Sequence, residues 1–228
     1  GEDGYYYEGL GIVSFTNELW TTKRMMATGE NPSKEDSTLF RDLLQFEDVY
    51  VPYHEVEHPK YGTILVGGTT KYSSRVTPPW MLEEGCHRNF AFTMYHADEM
   101  PMLEWGALDV KKLGDRLWKV TVEVVNDKII PSRTAMASKH NIGSPDVLTC
   151  ATGSSTHVAT SGTVRSLLKT TKLSVIDSEH PDRILVNRGI GSNDSTLFQF
   201  IIDGYGDVVF TYEAEKGGTV ERKVQLKE

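Results

Sequence analysis

The stretch Leu117-Trp118-Lys119-Val120-Thr121-Val122-Glu123-Val124 alternates apolar and polar residues from its second position onward. A period of two places every second side chain on the same face of a strand, so this stretch predicts a β-strand with one buried face. Similar strand-sized pieces flank or follow it: Ile129–Ile130, Arg133–Met136, Val147–Leu148, Leu173–Val175, Ile184–Val186, Leu197–Ile201 and Val208–Phe210. Gly, Asn, Asp and Ser separate these pieces at short intervals. The pattern predicts an antiparallel β-sandwich over residues 101–228.

The chain just before residue 101 has a helical period instead. Thr77 is a suitable N-cap, and Pro78 fits the first helical position, so a helix is predicted over residues 77–98. Its apolar stripe at helical spacing predicts packing against a large neighbour. The stripe comprises Leu82, Cys86, Phe90, Met94 and Ala97. Pro101 ends the helix, and the change of period there predicts two domains, residues 1–100 and 101–228.

Two shorter elements precede that helix. Pro32 and Ser33 open a second predicted helix, which runs to about Phe46. Residues 49–68 are predicted to form two extended arms around a turn at residues 59–62.

The composition excludes some classes of function. The net charge is −8, and Lys and Arg form no cluster, which argues against a nucleic-acid partner. The longest apolar runs are a few residues long, so no membrane-spanning segment is predicted. Cys86 and Cys150 are predicted to be two separate buried thiols, with a single bridge as the alternative.

Glu18 is the candidate catalytic residue. It follows the apolar run 12–16, which is predicted to form a short buried strand after a turn at Gly11. Phe15 and Trp20 flank the carboxylate, and partial removal from water would favour its use as a general base. A solvated side chain without a chemical role is the alternative reading of an isolated Glu.

The segment Gly11-Ile12-Val13-Ser14-Phe15-Thr16-Asn17-Glu18-Leu19 resembles the last-strand signature of zinc carboxypeptidases, in which a glycine turn leads into a strand ending Phe-Thr-x-Glu-Leu. The resemblance implies that Glu18 is the family's catalytic carboxylate, which takes a proton from a zinc-bound water and later delivers one to the leaving amine. Trp20 matches bacterial branches of the family. The stretch from Asp3 through Tyr5–Tyr7 resembles the acidic and aromatic approach to that strand.

The resemblance extends beyond this motif. Residues 77–98 fit the long helix that ends the family's catalytic domain, and His58–Gly62 followed by Gly67–Gly68 resembles an insertion of bacterial members. Residues 117–124 and 130–135 resemble their C-terminal accessory domain. The implied fold class is an α+β fragment, in which the C-terminal remnant of an α/β zinc carboxypeptidase domain precedes an all-β antiparallel sandwich.

The family's zinc ligands lie before the catalytic glutamate, as an His-x-x-Glu pair and a second histidine. The 17 residues before Glu18 contain no histidine. His54-Glu55-Val56-Glu57 spells the pair, but it follows Glu18 in a segment predicted to be extended. Residues three apart in a strand point to opposite faces, about 10 Å apart along it, which is too far for one zinc ion.

The remaining histidines offer no better set of ligands. His87 and His96 are nine residues apart on the predicted helix, roughly 13 Å of rise, so they cannot share one ion. His140, His157 and His180 are predicted to lie in solvent-facing loops.

The expected function is metallocarboxypeptidase-type hydrolysis of a peptide or protein substrate in a full-length parent, with this chain as an inactive C-terminal part. The alternative is a non-catalytic sandwich that binds glycan or protein through exposed aromatic residues. The candidate aromatic residues are Trp105, Trp118, Tyr205 and Tyr212, for which core packing is the favoured interpretation.

Gly189–Gly191 is predicted to form a hairpin turn rather than a phosphate loop. For the cellular compartment of the protein, the resemblance implies export as one option.

We expect this chain to hold no stoichiometric zinc, because zinc would be a cofactor of the full-length parent and its ligands would precede Glu18. Metal analysis of the purified chain after dialysis measures this. One tightly held zinc ion per chain would contradict the expectation.

Overall fold

The computed structural model describes residues 1–26, 28–46, 49–71, 73, 75–167 and 172–227. Its α-helices are α1 (Glu2–Gly4), α2 (Lys34–Leu39), α3 (Leu82–Asp98) and α4 (Ala135–His140). Its strands are β1 (Tyr50–His58), β2 (Gly62–Thr69), β3 (Leu103–Lys112), β4 (Leu117–Asn126), β5 (Asp146–Thr152), β6 (His157–Val164), β7 (Ser174–Val175), β8 (Arg183–Val186), β9 (Asp194–Asp203), β10 (Gly206–Ala214) and β11 (Gly218–Leu226). The fold is mixed α+β, and antiparallel sheets dominate it.

The chain forms two compact units, one comprising Gly1–Phe15 with His96–Glu228 and the other Thr16–Tyr95. The first residues join the sandwich unit because Gly11 lies against α4. The Gly11 carbonyl accepts a 2.8 Å hydrogen bond from Thr134 Oγ1. A Cβ on Gly11 would lie 2.7 Å from Ala137 Cβ, so only glycine fits this approach. The predicted boundary near residue 100 stays a prediction.

Two antiparallel sheets face each other in the sandwich unit. The five-stranded sheet has the order β3-β4-β9-β6-β7, and the four-stranded sheet has the order β11-β10-β5-β8. Their inner faces share one core, in which the Phe200 ring lies 5.0 Å from that of Phe210 and the Phe198 ring 6.1 Å from that of Tyr212. The predicted antiparallel, sandwich-like arrangement is therefore present.

The alternating stretch forms the central strand β4. Val120, Val122 and Val124 are fully buried. On the other face, Lys119 and Glu123 are half-buried, whereas Thr121 is buried as well. β4 pairs with β9 along its whole length. The period of two therefore predicted this strand and its buried face.

Other predicted strand pieces take different forms. Ile129–Ile130 lies in a loop, and Arg133–Met136 runs into α4 because Thr134 Oγ1 accepts a hydrogen bond from Ala137 N and caps that helix. The predicted hairpin turn at Gly189–Gly191 is wrong, since β8 and β9 belong to different sheets. Ile190 is fully buried there, so this segment carries the chain from one sheet to the other. The strands β3, β6 and β11 were not predicted.

The second unit contains α2, the β1–β2 hairpin and most of α3. Ser33 opens α2 with a capping box: its side chain accepts a hydrogen bond from Asp36 N, and its own backbone N–H donates to Asp36 Oδ2. A π-helical turn at Phe40–Leu44 continues this helix close to its predicted end. The two predicted extended arms pair as β1 and β2.

Helix α3 begins later than the sequence predicts. Pro78 keeps an extended ψ of 146° because Pro79 follows it, and a 3₁₀ turn over Pro79–Met81 then leads into the helix. Thr77 is therefore not the N-cap, and its hydroxyl donates to Leu19 O at 2.8 Å. A Cβ on Gly85 would lie 3.0 Å from Thr77 Oγ1, so Thr77 approaches the helix closely at that glycine.

The apolar stripe of α3 is open to solvent. Phe90 is 64% exposed and Met94 53% exposed, and the Cys86 thiol is exposed as well. The predicted packing of this stripe against a large neighbour is thus wrong for the described residues of this chain. Within them, the buried hydrophobic side chains of the second unit are Trp20 and Phe40.

The two cysteines are free, as predicted, but only one is buried. Burial raises the pKa of the Cys150 thiol to about 12, so this group is inert at neutral pH. No described helix is both long enough and apolar enough to cross a membrane.

Replacing Phe200 with Ala should destabilise the sandwich by about 3–5 kcal/mol, because the change empties a fully buried position in the shared core. Phe90→Ala on the exposed face of α3 is the matched control and should cost less than about 1 kcal/mol. Urea unfolding measures both. Equal costs for the two variants would contradict the assigned core.

Candidate functional site

Glu18 lies in a segment without regular secondary structure, which pairs with no described strand. A strand needs the backbone groups of a neighbour, so the predicted strand 12–16 does not form here. Phe15 is 56% exposed, and Glu18 itself is exposed. The expected shielding of the carboxylate from water is therefore wrong for this structure, and Glu18 is accessible to a solute.

The residues that follow Glu18 are held firmly. Trp20 is only 6% exposed, and its ring lies 6.0 Å from that of Phe40, which in turn lies 5.8 Å from that of Trp80. The backbone carbonyl of Leu19 accepts the hydrogen bond from Thr77. These contacts fix the backbone next to Glu18 while its side chain stays exposed.

Glu18 lines an open cleft of about 500 Å³, referred to below as the Glu18 cleft. Its walls come from the segment around the 3₁₀ turn Thr22–Met25 and from the first half of α3. The lining residues are Glu18, Leu19, Lys23, Arg24, Met26, Gly29, Met81, Glu84, Arg88 and Asn89. Cationic and carboxylate groups thus meet in one cleft that is wide enough for a peptide end.

Two arginines share one carboxylate in the Glu18 cleft. Arg88 Nε lies 2.7 Å from Glu84 Oε1, and Arg24 Nη2 lies 3.4 Å from Glu84 Oε2. The Arg24 guanidinium also lies 5.7 Å from the centre of the Trp20 ring, a cation–π contact. Arg24 Nη2 is buried, and its contact with Glu84 is an ion pair that does not meet hydrogen-bond geometry. The arginine pair is therefore positioned by Glu84 and Trp20.

The described residues of this chain provide no set of ligands for a zinc ion. The described residues contain no group of three His, Cys, Asp or Glu that could hold a metal ion. His54 and Glu57 lie in β1, where their spacing puts them on opposite faces. Glu57 accepts a hydrogen bond from Thr63, and the His54 Nδ1 atom lies 3.1 Å from Pro52 O. The residues present do not fit a zinc ion.

The four aromatic residues considered for ligand binding belong to the sandwich core or pack against it. Tyr212 is fully buried and Trp118 is buried, while Trp105 and Tyr205 pack against the core from its margin. Lys112 Nζ lies 5.4 Å from the ring centres of Trp118 and Tyr205. These rings are therefore used in packing, and they offer no open platform for a ligand.

A buried polar cluster lies inside the sandwich unit. Asp146 Oδ2 accepts hydrogen bonds from Ser132 Oγ at 2.5 Å and from Tyr212 OH at 3.0 Å, while Ser132 Oγ accepts one from Ile190 N at 2.7 Å. Burial raises the pKa of Asp146 above its usual range, and the hydrogen bonds from Ser132 and Tyr212 partly oppose this. Sequence reasoning missed this cluster, because its members are distant along the chain and belong to no motif.

This cluster is structural. The adjoining cavity, lined by Arg133 among others, has a volume of about 10 Å³, which is room for one water molecule at most. Arg133 donates to the carbonyls of Ser144 and Ala137 and so ties the α4 region to the sheet. The Glu18 cleft is thus the better candidate for chemistry.

Residues 102–225 match a protein family that is described as a domain of unknown function, DUF8731. This range contains every strand of the two sandwich sheets except the last residue of β11. No curated protein matches the chain.

Replacing Asp146 with Asn should change how stability depends on pH. Because its pKa is raised, Asp146 holds a proton more tightly in the folded than in the unfolded chain. Above that raised pKa, the buried charge of Asp146 lowers the free energy of unfolding of the wild type. This penalty disappears as the pH falls through the raised pKa towards the pKa of an ordinary Asp. The free energy of unfolding of Asp146→Asn, relative to that of wild type, should therefore be highest near neutral pH and should decrease on acidification.

Urea unfolding at several pH values between about 7 and 4 measures this difference. Asp127→Asn is the control, because it removes an exposed carboxylate. A difference between Asp146→Asn and wild type that grows in favour of the variant on acidification would contradict the assigned environment.

Proposed function

The chain belongs to the DUF8731 family, and we propose that it is the C-terminal part of a zinc-carboxypeptidase-type peptidase. In this proposal, residues 1–100 complete the catalytic domain of a longer parent, and the sandwich of residues 101–228 is its accessory domain. The reaction is hydrolysis of the last peptide bond of a peptide or protein substrate. Glu18 is the general base that accepts a proton from the attacking water.

The exposed apolar surface of the second unit carries this proposal. Its large exposed apolar residues include Leu39, Leu43, Phe46, Tyr53, Leu65, Phe90, Met94 and Tyr95. Burial of apolar surface is the main favourable term in folding, at roughly 25 cal/mol per Å², so covering these side chains would stabilise the unit. Large exposed apolar patches are typical of surfaces that contact another protein surface, a membrane or a ligand, and the proposal assigns this one to the rest of the parent's catalytic domain.

The resemblance indicates which segment that is. In zinc carboxypeptidases a long helix ends the catalytic domain, and α3 occupies the corresponding place in the sequence. Its exposed Phe90 and Met94 would pack on the rest of that domain. Segment 12–16, which belongs to none of the described sheets, would form the last strand of that domain. Both features are those of a domain whose other part lies elsewhere in the parent.

Glu18 is suited to the role of proton acceptor. An ionised carboxylate only accepts hydrogen bonds, and this one is exposed on a backbone that Trp20 holds in place. Zinc, which such peptidases use, has no ligands in the described part of this chain, so its ligands would come from another part of the parent.

Glu18→Gln in the parent protein tests the proposal. Glutamine keeps the size of the side chain but cannot accept the proton as a carboxylate does, so kcat should fall by two to four orders of magnitude, about 3–5 kcal/mol in barrier. KM should change much less, because the other substrate contacts remain. The measurement is peptidase turnover, with zinc content and melting temperature determined in parallel.

Glu35→Gln, an exposed carboxylate of α2 outside the Glu18 cleft, is the matched control and should leave turnover unchanged. Near-wild-type turnover in a folded, zinc-containing Glu18→Gln protein would show that Glu18 has no role in proton transfer. A wild-type parent that cleaves no peptide would favour the alternative function, a non-catalytic binding module.

A further inference from the structure

We infer that Thr134 is a positioning residue for Glu18, and that the sandwich thereby sets the register of the segment that leads to Glu18. This inference rests on the proposed function, since it concerns the reaction assigned to Glu18. It adds a task for the sandwich, which the proposed function leaves as an accessory domain without a role in the reaction.

Three consecutive buried residues, Ser132, Arg133 and Thr134, each bind a different part of the sandwich unit. Ser132 is bound to the carboxylate of Asp146, and Arg133 to backbone carbonyls within and after α4. These contacts hold the backbone on which Thr134 lies. The Thr134 hydroxyl donates to the Gly11 carbonyl, so the sandwich binds Gly11 from a rigid support.

Gly11 fits closely against this support. Its φ of 65° is a conformation that glycine favours, and it ends the π-helical turn Tyr5–Gly9. The backbone N–H groups of Gly11 and Ile12 donate back to carbonyls of that turn. Because a Cβ at residue 11 would lie 2.7 Å from Ala137 Cβ, a larger residue cannot take this place without moving the chain.

The other end of the segment 11–15 is held on the sandwich unit as well. The Phe15 ring lies 4.6 Å from the His96 ring, and both residues belong to that unit. Glu18 follows Phe15 by three residues, so the Glu18 Cα stays within about 11 Å of the Phe15 Cα. The anchoring of Gly11 and Phe15 therefore limits where Glu18 can lie.

The register of the segment 12–16 decides which way Glu18 faces in the proposed parent. There the segment forms the last strand of the catalytic domain, and successive residues of a strand point to opposite faces. A slip by one residue would turn Glu18 away from the attacking water. Such a slip moves the backbone by about 3.3 Å, which the 2.8 Å hydrogen bond between Thr134 and Gly11 cannot survive.

Two substitutions of Thr134 separate its contact with Gly11 from its role as a helix cap. Thr134 Oγ1 also accepts a hydrogen bond from Ala137 N. Aspartate is at least as good an N-cap, but an ionised carboxylate cannot donate to the Gly11 carbonyl, whereas serine can do both. Gly11→Ala disturbs the same contact from the other side, by its clash with Ala137.

Thr156→Val is the matched control. It removes another buried threonine hydroxyl, which donates to the Tyr205 carbonyl at 2.6 Å. Both residues lie within the continuous part of the sandwich unit, His96–Glu228, so the control leaves the contact of Gly11 intact.

Hydrogen exchange of the 228-residue chain measures the anchoring without requiring catalysis. The protection factor of the Ile12 amide should fall about fivefold in Thr134→Asp and in Gly11→Ala, because the turn opens more often once its anchor is lost. Thr134→Ser and Thr156→Val should leave it unchanged. Circular dichroism verifies that each variant is folded. If Thr134→Asp were unfolded, Gly11→Ala, which alters no residue of the two sheets, would decide.

Turnover of the parent protein measures the effect on Glu18. In Thr134→Asp and Gly11→Ala, kcat should fall about ten- to hundredfold with little change in KM, because Glu18 is misplaced while the substrate contacts remain. Thr134→Ser should restore turnover to within about twofold of wild type, and Thr156→Val should match it. Zinc content and melting temperature are determined for each variant.

Unchanged protection of Ile12 in both anchor variants would overturn the inference, because Thr134 would then not hold the segment. Unchanged kcat in an active parent that carries either variant would overturn it as well, and so would an equal loss of kcat in Thr156→Val. A wild-type parent without peptidase activity would reject the proposed function and, with it, the effect on catalysis. The exchange result on this chain distinguishes that failure from a failure of the anchor.

Discussion

The packing of β9 against β10 is the interaction on which the sandwich unit depends. Phe198 and Phe200 project from one strand and meet Tyr212 and Phe210 from the other, so the largest rings of the core bridge the two sheets. β4 lies beside β9 and adds its three buried valines to the same layer. Among the described residues of the second unit, the buried hydrophobic side chains are Trp20 and Phe40. The two units therefore differ strongly in the size of their described cores.

The sequence predicted those elements that depend on a few neighbouring residues or on a strongly periodic pattern of apolar side chains. The alternation in β4, the capping box of α2 and the glycine turn of the β1–β2 hairpin each depend on a few neighbouring residues. The segment 12–16 was predicted to be a strand because it is apolar, yet a strand forms only where another backbone pairs with it. The stripe of α3 likewise predicted a packing partner that the described residues do not supply.

The candidate site was predicted only in part. The motif around Glu18 could be read from the sequence, since its residues are contiguous. The cations of the Glu18 cleft could not, because Arg24 and Arg88 are distant along the chain and share Glu84 only after folding. The Asp146 cluster was missed for the same reason. Buried strands and helix caps correspond to local patterns in the sequence, whereas polar networks between distant residues correspond to none.

The contact between Phe15 and His96 has a topological consequence. Their rings lie 4.6 Å apart within the sandwich unit, at the two points where the chain leaves that unit and returns to it. The sandwich unit therefore holds residues 15 and 96 close together without help from the 80 residues between them. Closing so long a loop costs entropy only logarithmically in its length. A short linker from Phe15 to His96 would thus close the same gap and would join the two parts of the sandwich unit directly.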